Sequence, residues 1–325
     1  MMPHCRHAER LSIRYQQGRL IVCPECCIQD ATKWHYDFTN KLSEKLPATL
    51  AEFMTKPEHY LSLAANIEDC LRCDCPYAEL TDNPCTNHKF IKVDIDGSCN
   101  FDCLQCFISK QNRMYDELRR QAQLSCLDWC RQHADTIHLT AAGEPFISGA
   151  NGYSAHWLLS LQATDRVKTI CALSNYSFLE PELLQRLLDH LRQQNKTLYI
   201  NASCDAFQED YYTRIRRGGN FQQVIRNMRY AHEHGILQAI NYCFMPWNEV
   251  IGDTIGEQLL ELGFNPQQHP LLVCLIPYRQ TGFNYRNTLL DENGQIINEH
   301  FRNCQESLQR CGFDYFVNTV GKKKE

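Results

Sequence analysis

Three cysteines, Cys99, Cys103 and Cys106, lie within the eight-residue stretch CNFDCLQC, at spacings of four and three residues. Thiolates at this density suit soft metals, and a structural zinc or iron–sulfur site normally takes a fourth protein ligand. Three ligands leave one corner of the metal centre open to a substrate or a cofactor. The spacing therefore indicates metal-dependent catalysis more than a purely structural site.

The bulk composition narrows the class of protein. The 325 residues include 19 cysteines, carry a formal net charge of -5 and are 43% hydrophobic, which is ample for a buried core. Lys and Arg are scattered, so we expect no nucleic-acid partner. The first residues lack a signal-peptide core and runs such as LLVCLI are too short to cross a bilayer. We therefore expect a cytoplasmic protein, away from membranes, whose cysteines serve metals or catalysis rather than disulfides.

Beyond residue 88 the chain alternates between short β-rich runs and longer stretches of helical period. The runs are FIKVDID, TIHLTA, KTICALS, TLYINAS, QAINYCF and PLLVCLI. Six such alternations predict parallel βαβ units. A span of roughly 200 residues is short for a closed eight-unit barrel, so an α/β fold with a partial (β/α)6 barrel is favoured. Chemistry in such folds sits at the carboxyl ends of strands, and the cysteine trio directly follows the first run.

The predicted domain boundaries follow the change in sequence pattern near residue 88. The domains are a small cysteine-rich N-terminal domain at residues 1–88, a barrel core at 89–285, and a C-terminal helix and strand extension at 286–325.

The CxxxCxxC loop after a first strand resembles the cluster loop of radical S-adenosylmethionine (SAM) enzymes. This resemblance implies that Cys99, Cys103 and Cys106 hold a [4Fe-4S] cluster whose remaining iron is chelated by SAM. It also implies a one-electron reductant such as flavodoxin or ferredoxin as a partner. The family often has an aromatic residue before the third cysteine, where this chain has Gln105.

Further stretches match the same family in the expected order. TAAGEPF resembles its GGEP motif, LSNYSFLEPELLQRL its third strand and helix, and NASCDAFQEDYYTRIRRGG its fourth. The resemblance implies that Glu144 binds the SAM ammonium group, that Ser203 approaches the ribose or carboxylate, and that Arg216 pairs with the carboxylate. The residues assigned to SAM in this way are Gly143, Glu144, Pro145, Asn175, Ser203 and Arg216.

Eight cysteines precede the predicted core. Cys5 and Cys23, separated by a glycine at position 18, resemble the opening of the SPASM and twitch auxiliary-cluster modules, although those modules normally follow the core. The resemblance implies an auxiliary iron–sulfur cluster. Zinc and unligated thiols remain open alternatives. A zinc ion can stabilise a region with little apolar core as well as an iron–sulfur cluster can. The candidate ligands are Cys5, Cys23, Cys26, Cys27, Cys70, Cys73, Cys75 and Cys85.

The resemblance implies that the reduced cluster cleaves SAM to a 5′-deoxyadenosyl radical. This radical then removes hydrogen from a carbon of a peptide or small molecule. Oxidation or bond formation through the auxiliary cluster is favoured. A redox-neutral epimerase that uses a cysteine hydrogen donor is the alternative, with Cys204, Cys243 and Cys274 as candidates, although a small buried packing residue is the favoured interpretation of each. Strand alternation sends Cys204 to the face opposite Ser203, which favours Cys243 or Cys274 over it if Ser203 faces SAM. A nonenzymatic iron–sulfur or zinc binding module is the competing class.

Overall fold

A computed structural model gives the architecture of the protein. It describes residues 2–5, 10–16, 19–24, 78–81, 88–106, 117–139, 143–280, 283–284, 286–291 and 295–317.

The order of elements in the described part of the chain alternates between strands and helices from residue 88 onward. The strands are β1 (Met2–Cys5), β2 (Arg10–Gln16), β3 (Arg19–Pro24), β4 (Ala78–Thr81), β5 (His88–Asp94), β6 (Ala134–Leu139), β7 (Thr169–Ser174), β8 (Thr197–Ser203), β9 (Ala239–Phe244), β10 (Leu272–Pro277), β11 (Arg279–Gln280), β12 (Phe283–Asn284) and β13 (Asp314–Val317). The helices are α1 (Glu117–His133), α2 (Tyr153–Ser160), α3 (Pro181–Gln193), α4 (Glu209–Ile215), α5 (Phe221–Glu233), α6 (Glu249–Gly252), α7 (Ile255–Glu261), α8 (Arg286–Leu289) and α9 (Glu299–Arg310), with a short 3-10 helix at Gly149–Asn151.

Nine strands form one sheet in the order β13-β10-β9-β8-β7-β6-β5-β2-β3. Every neighbouring pair is parallel except the antiparallel pair of β2 and β3 at one edge. From β5 to β10 the strands follow chain order. Crossovers between parallel strands are right-handed as a rule, and in this strand order the rule puts the connecting helices on a single face. This open parallel sheet confirms the predicted α/β class and partial barrel.

The two faces of the sheet differ sharply. Buried residues alternate with half-buried ones along β7, β8 and β10. The helix-covered face is apolar and belongs to one core, which includes Ile91, Ile137, Ile170, Ile200 and Val273. Each such side chain contributes about 1.5–3 kcal/mol by its burial. The other, concave face carries the half-buried side chains and is therefore covered less completely than the first.

The N-terminal strands are divided between two sheets. β1 and β4 form a separate antiparallel pair, whereas β2 lies parallel to β5 and extends the main sheet. Ile13 of β2 is 0% exposed and belongs to the core. The predicted boundary near residue 88 therefore does not coincide with an edge of the sheet. Hydrophobic periodicity identifies a strand but not its neighbour in the sheet, so the sequence could not predict that β2 pairs with β5.

At the opposite edge, β13 lies parallel to β10 and follows α9. None of the helices in the described ranges has both the length and the apolar character that crossing a membrane requires.

Ile13 tests whether β2 is part of the cooperative core. We expect Ile13→Ala to lower the free energy of unfolding by about 2–5 kcal/mol, because it leaves a cavity in the core. Ile297→Ala is the matched control, since Ile297 is 57% exposed. Urea unfolding followed by tryptophan fluorescence measures both variants. An unchanged core transition in Ile13→Ala would show that β2 does not stabilise the barrel.

Candidate active site at the carboxyl end of the sheet

The cysteine loop leaves β5 through a buried turn. The Asp96 Oδ1 atom accepts hydrogen bonds from the Ser98 backbone N–H, at 3.0 Å, and from the Ser98 hydroxyl, at 2.7 Å. From α1, the Gln123 side chain accepts from the Ile95 N–H at 2.8 Å and donates to the Val93 carbonyl at 3.3 Å. The start of the loop is therefore held by both its own side chains and the first core helix.

The three cysteines of the loop are half-buried. The Phe101 N–H donates to the Cys99 Sγ at 3.4 Å, and a turn joins the Cys106 N–H to the Cys103 carbonyl at 3.2 Å. Burial raises the pKa of the Cys99 thiol to about 11, with the nearby Cys103 and Cys106 adding to the shift. The three thiols thus lie close enough to influence one another's charge.

This donor set fits a [4Fe-4S] cluster, in which each ligating iron takes one thiolate. No three His, Cys, Asp or Glu side chains of the described ranges are grouped as a single metal ion requires. A thiolate buried without compensation would be unstable, and the Phe101 N–H and the Arg216 guanidinium, 3.8 Å from the Cys103 Sγ, supply part of that compensation. Cys99, Cys103 and Cys106 are the residues that would hold the cluster.

Backbone hydrogen bonds attach the loop to the end of α4. The Asp102 N–H donates to the Arg217 carbonyl at 2.9 Å, and the Leu104 N–H donates to the Ile215 carbonyl at 2.9 Å. These bonds fix the middle of the loop, on either side of its second cysteine. The segment after α4 therefore positions the thiols directly.

Two glycines allow this close approach. Gly218 has a φ of 90°, and a Cβ there would lie 3.1 Å from the Asn100 carbonyl oxygen. A Cβ on Gly219 would lie 2.8 Å from the Phe101 ring. The GG pair is thus required for both backbone conformation and space.

A third glycine, Gly143, packs the loop after β6 against the cysteine loop. A Cβ on Gly143 would lie 2.1 Å from the Ser98 carbonyl oxygen and 2.4 Å from that of Gly97. The next residue, Glu144, donates its N–H to the same Ser98 carbonyl at 2.8 Å. Pro145 follows and is buried. The GEP segment therefore supports the cysteine loop through its main chain, and its contact with SAM stays a prediction.

The Glu144 carboxylate is 2% exposed and accepts hydrogen bonds from groups within the protein. Its oxygens accept from the Phe146 N–H at 2.9 Å, the Ser174 hydroxyl at 2.8 Å and the Asn175 N–H at 2.6 Å. Burial raises the pKa of Glu144 to about 7, although these hydrogen bonds lower it. A carboxylate accepts about four hydrogen bonds. Glu144 thus serves chiefly to join the ends of β6 and β7, leaving at most one acceptor position for an ammonium group.

Asn175 lies beside the cysteine loop, as part of a polar network. Its Nδ2 donates to the Asn100 Oδ1 at 3.0 Å, and its Oδ1 accepts from the Ser177 hydroxyl at 2.5 Å and N–H at 2.9 Å. The Asn100 Nδ2 completes the network by donating to the Ser177 Oγ at 3.0 Å. Asn100 and Ser177 were not predicted, because partners more than 70 residues apart leave no local signal.

A buried ion pair dominates the electrostatics of the site. The Arg216 Nε lies 2.6 Å from the Asp205 Oδ2, and the two side chains are 11% and 1% exposed. Asp205 also accepts hydrogen bonds from the Gln105 side chain and, at 2.8 Å, from the Cys243 N–H. Arg216 therefore has an internal partner, Asp205, that sequence reasoning missed, and its pairing with a SAM carboxylate stays a prediction.

This network gives a physical reason for Gln105. An aromatic ring at this position has no amide to donate to the Asp205 carboxylate, whereas Gln105 does. The departure from the family pattern and the missed aspartate thus belong to one network, although they lie 100 residues apart in sequence.

The three predicted hydrogen donors are placed differently. Cys204 is 0% exposed, and its thiol donates to the Ala206 carbonyl at 3.2 Å. Burial raises the pKa of Cys204 to about 12. Cys204 follows β8 on its buried side while Ser203 is half-buried, which agrees with the opposite orientations that strand alternation predicts for these neighbours, and a hydrogen-donor role for any of the three cysteines stays a prediction. Cys243 and Cys274 are half-buried and follow the alternation of the concave face.

The described residues include the backbone of only two predicted auxiliary ligands. Cys5 ends β1 in the two-stranded sheet, and Cys23 lies in β3 at the edge of the main sheet. The auxiliary cluster stays a prediction. The remaining candidates, which lie outside the described residues, are Cys26, Cys27, Cys70, Cys73, Cys75 and Cys85.

The ion pair is open to a direct test. We expect Arg216→Gln and Asp205→Asn each to lower the free energy of unfolding by about 3–5 kcal/mol, because each leaves a buried charge without its partner. The double variant should lose less than the sum of the two. Arg217→Gln, at the exposed neighbouring position, is the control. Additive losses in the double-mutant cycle, measured by urea unfolding, would rule out a strong Asp205–Arg216 interaction.

A comparison with known protein families agrees with this geometry. Residues 96–254 match the family model of the radical SAM superfamily. A radical SAM methyltransferase from Sphaerobacter thermophilus is a similar solved structure, with 16% identity and a TM-score of 0.43 over 71% of this chain and 67% of that chain. Another is histidine-tagged anSMEcpe with bound AdoMet, with 14% identity and a TM-score of 0.46 over 70% of this chain and 63% of that chain. No curated protein matches the chain. By its family match, the chain carries a domain of the radical SAM superfamily at residues 96–254.

Proposed function

We propose that this protein is a radical SAM enzyme that removes hydrogen from an unactivated carbon of a peptide or small molecule. The observation that carries the proposal is a three-thiol loop that main-chain hydrogen bonds hold at the carboxyl end of a parallel sheet, beside the less completely covered face of that sheet. When bound, the cluster and SAM supply a reductively formed 5′-deoxyadenosyl radical. An electron donor such as flavodoxin or ferredoxin is the proposed partner, and the cytoplasm the proposed location.

The protein's own residues position and shield this chemistry. The Arg216 guanidinium and the Phe101 N–H stabilise negative charge on two of the thiols. Gly143 and Glu144 bring the end of β6 within hydrogen-bonding distance of the loop. Such contacts hold the thiols and the neighbouring main chain in fixed positions, which is what preorganisation of a site requires.

We further propose that the overall reaction is an oxidation or bond formation, with an auxiliary cluster accepting the extra electron. The density of cysteines before residue 89 supports this outcome. The alternative, a redox-neutral epimerisation, is supported by Cys243 and Cys274, which are half-buried on the concave face. Solvent deuterium at an inverted substrate carbon, lost in one of these cysteine variants, distinguishes epimerisation from oxidation.

The first prediction concerns the cysteine loop. Changing Cys99, Cys103 and Cys106 together to alanine should abolish formation of 5′-deoxyadenosine from SAM in reconstituted, reduced protein, because the thiols that hold the cluster are gone. Cys311→Ala, at a half-buried cysteine outside the site, should retain it. Retained SAM cleavage in the triple variant would remove the loop from the active site, and a wild-type protein that makes no 5′-deoxyadenosine would favour the nonenzymatic binding module.

A second prediction addresses the auxiliary cluster. The same triple variant, purified without oxygen, should still contain iron and sulfide, because the eight N-terminal cysteines are separate from the loop. Metal and acid-labile sulfide analysis measures this directly. Zinc in place of iron would identify a structural staple and withdraw the proposed electron acceptor.

A further inference from the structure

The concave face of the sheet carries many polar side chains among apolar ones such as Leu173 and Ile276, whereas the helix-covered face is apolar. On the helix-covered face, buried side chains such as Ile91, Ile137 and Leu198 belong to the core. Half-buried polar side chains stand on the concave face, including Lys92, Thr136, His138, Tyr199, Asn201, Ser203 and Asn241. Polar groups at half-buried positions stabilise a fold less than apolar ones would, so their concentration on one face points to a ligand.

Four of the concave side chains lie in one row across the sheet. Lys92 on β5 is the register partner of His138 on β6, His138 that of Cys171 on β7, and Cys171 that of Tyr199 on β8. All four are half-buried. Neighbouring strands are about 4.8 Å apart, so the row presents an ammonium, an imidazole, a thiol and a phenol side by side.

The charge balance of this row is positive. Burial lowers the pKa of His138 to about 4, and the Lys92 ammonium adds to the shift. His138 is therefore neutral at pH 7 and can donate one ring N–H without adding charge. Within the described ranges, no carboxylate forms an ion pair with Lys92. Asp94, two residues closer to the cysteine loop, has an interaction of its own.

We propose that Lys92, His138 and Tyr199 form a binding site for an anionic group of the substrate, a carboxylate or a phosphate. The inference rests on the proposed function, because it takes the concave face to be the substrate face. The Lys92 ammonium provides the charge, and the imidazole and phenol provide directional hydrogen bonds. Lys92 precedes the end of β5, so the anionic group binds deep in the face and the reacting carbon lies closer to the cysteine loop.

Isothermal titration calorimetry tests the site without knowledge of the substrate. Reconstituted protein, saturated with SAM so that the SAM site is filled, is titrated at low salt with glutarate and, separately, with inorganic phosphate. We expect at least one anion to bind, and Lys92→Met to weaken its binding about tenfold or more, as for a lost charge-assisted hydrogen bond. Lys89→Met, at an exposed position on the same strand, should bind the anion as the wild type does.

A second variant keeps the test decisive if Lys92→Met fails to fold. His138→Gln should also weaken anion binding, because glutamine does not reproduce the ring geometry. Failure of both anions to bind the wild type, or equal affinity in wild type and folded Lys92→Met, would overturn the site. The better-bound anion distinguishes carboxylate from phosphate. Formation of 5′-deoxyadenosine by the wild type is measured separately, so a failure of the proposed function is not confused with a failure of the anion site.

Discussion

The buried pair of Asp205 and Arg216 joins four parts of the active site. Asp205 follows β8 and accepts from the backbone N–H of Cys243 in β9, while Arg216 directly follows α4 and reaches the Cys103 thiol of the cysteine loop. A buried ion pair is stable only when further hydrogen bonds satisfy both charges. The Gln105 amide and the Cys243 N–H meet that need, so displacement of the loop would leave a buried carboxylate short of donors.

Close backbone contacts make this electrostatic arrangement possible. Gly143 and Gly219 occupy positions where any Cβ would overlap the cysteine loop, and Gly218 combines a left-handed backbone with a near contact. The segment after β6 and the segment after α4 therefore both pack closely against the cysteine loop. Their main-chain hydrogen bonds hold the loop without using its three thiols, which the proposed cluster would need. Rigidity of this kind is what a radical reaction needs, because the reactive species must meet its substrate first.

Sequence reasoning predicted the features that have a local signal. The alternation of runs and helical stretches identified β5 to β10, and the spacing of Cys99, Cys103 and Cys106 located the site at a strand end. It missed Asp205, because nothing in the sequence links that residue to Gln105 and Arg216. Strand alternation correctly separated Cys204 from Ser203, because Cys204 is buried and its thiol donates to the Ala206 carbonyl while Ser203 is half-buried. The sequence did not predict the pairing of β2 with β5 either, because the two strands are far apart along the chain.

The most direct test of this account is the midpoint potential of the cluster proposed for the cysteine loop, followed by electron paramagnetic resonance during a redox titration. The Arg216 guanidinium next to the Cys103 thiolate favours the reduced, more negative cluster. Arg216→Gln should therefore lower the potential, by about 59 mV for each tenfold loss in the equilibrium for one-electron reduction. Arg217→Gln should leave it unchanged. Equal potentials in the wild type and in folded, fully loaded Arg216→Gln would contradict the claim that this ion pair organises the site.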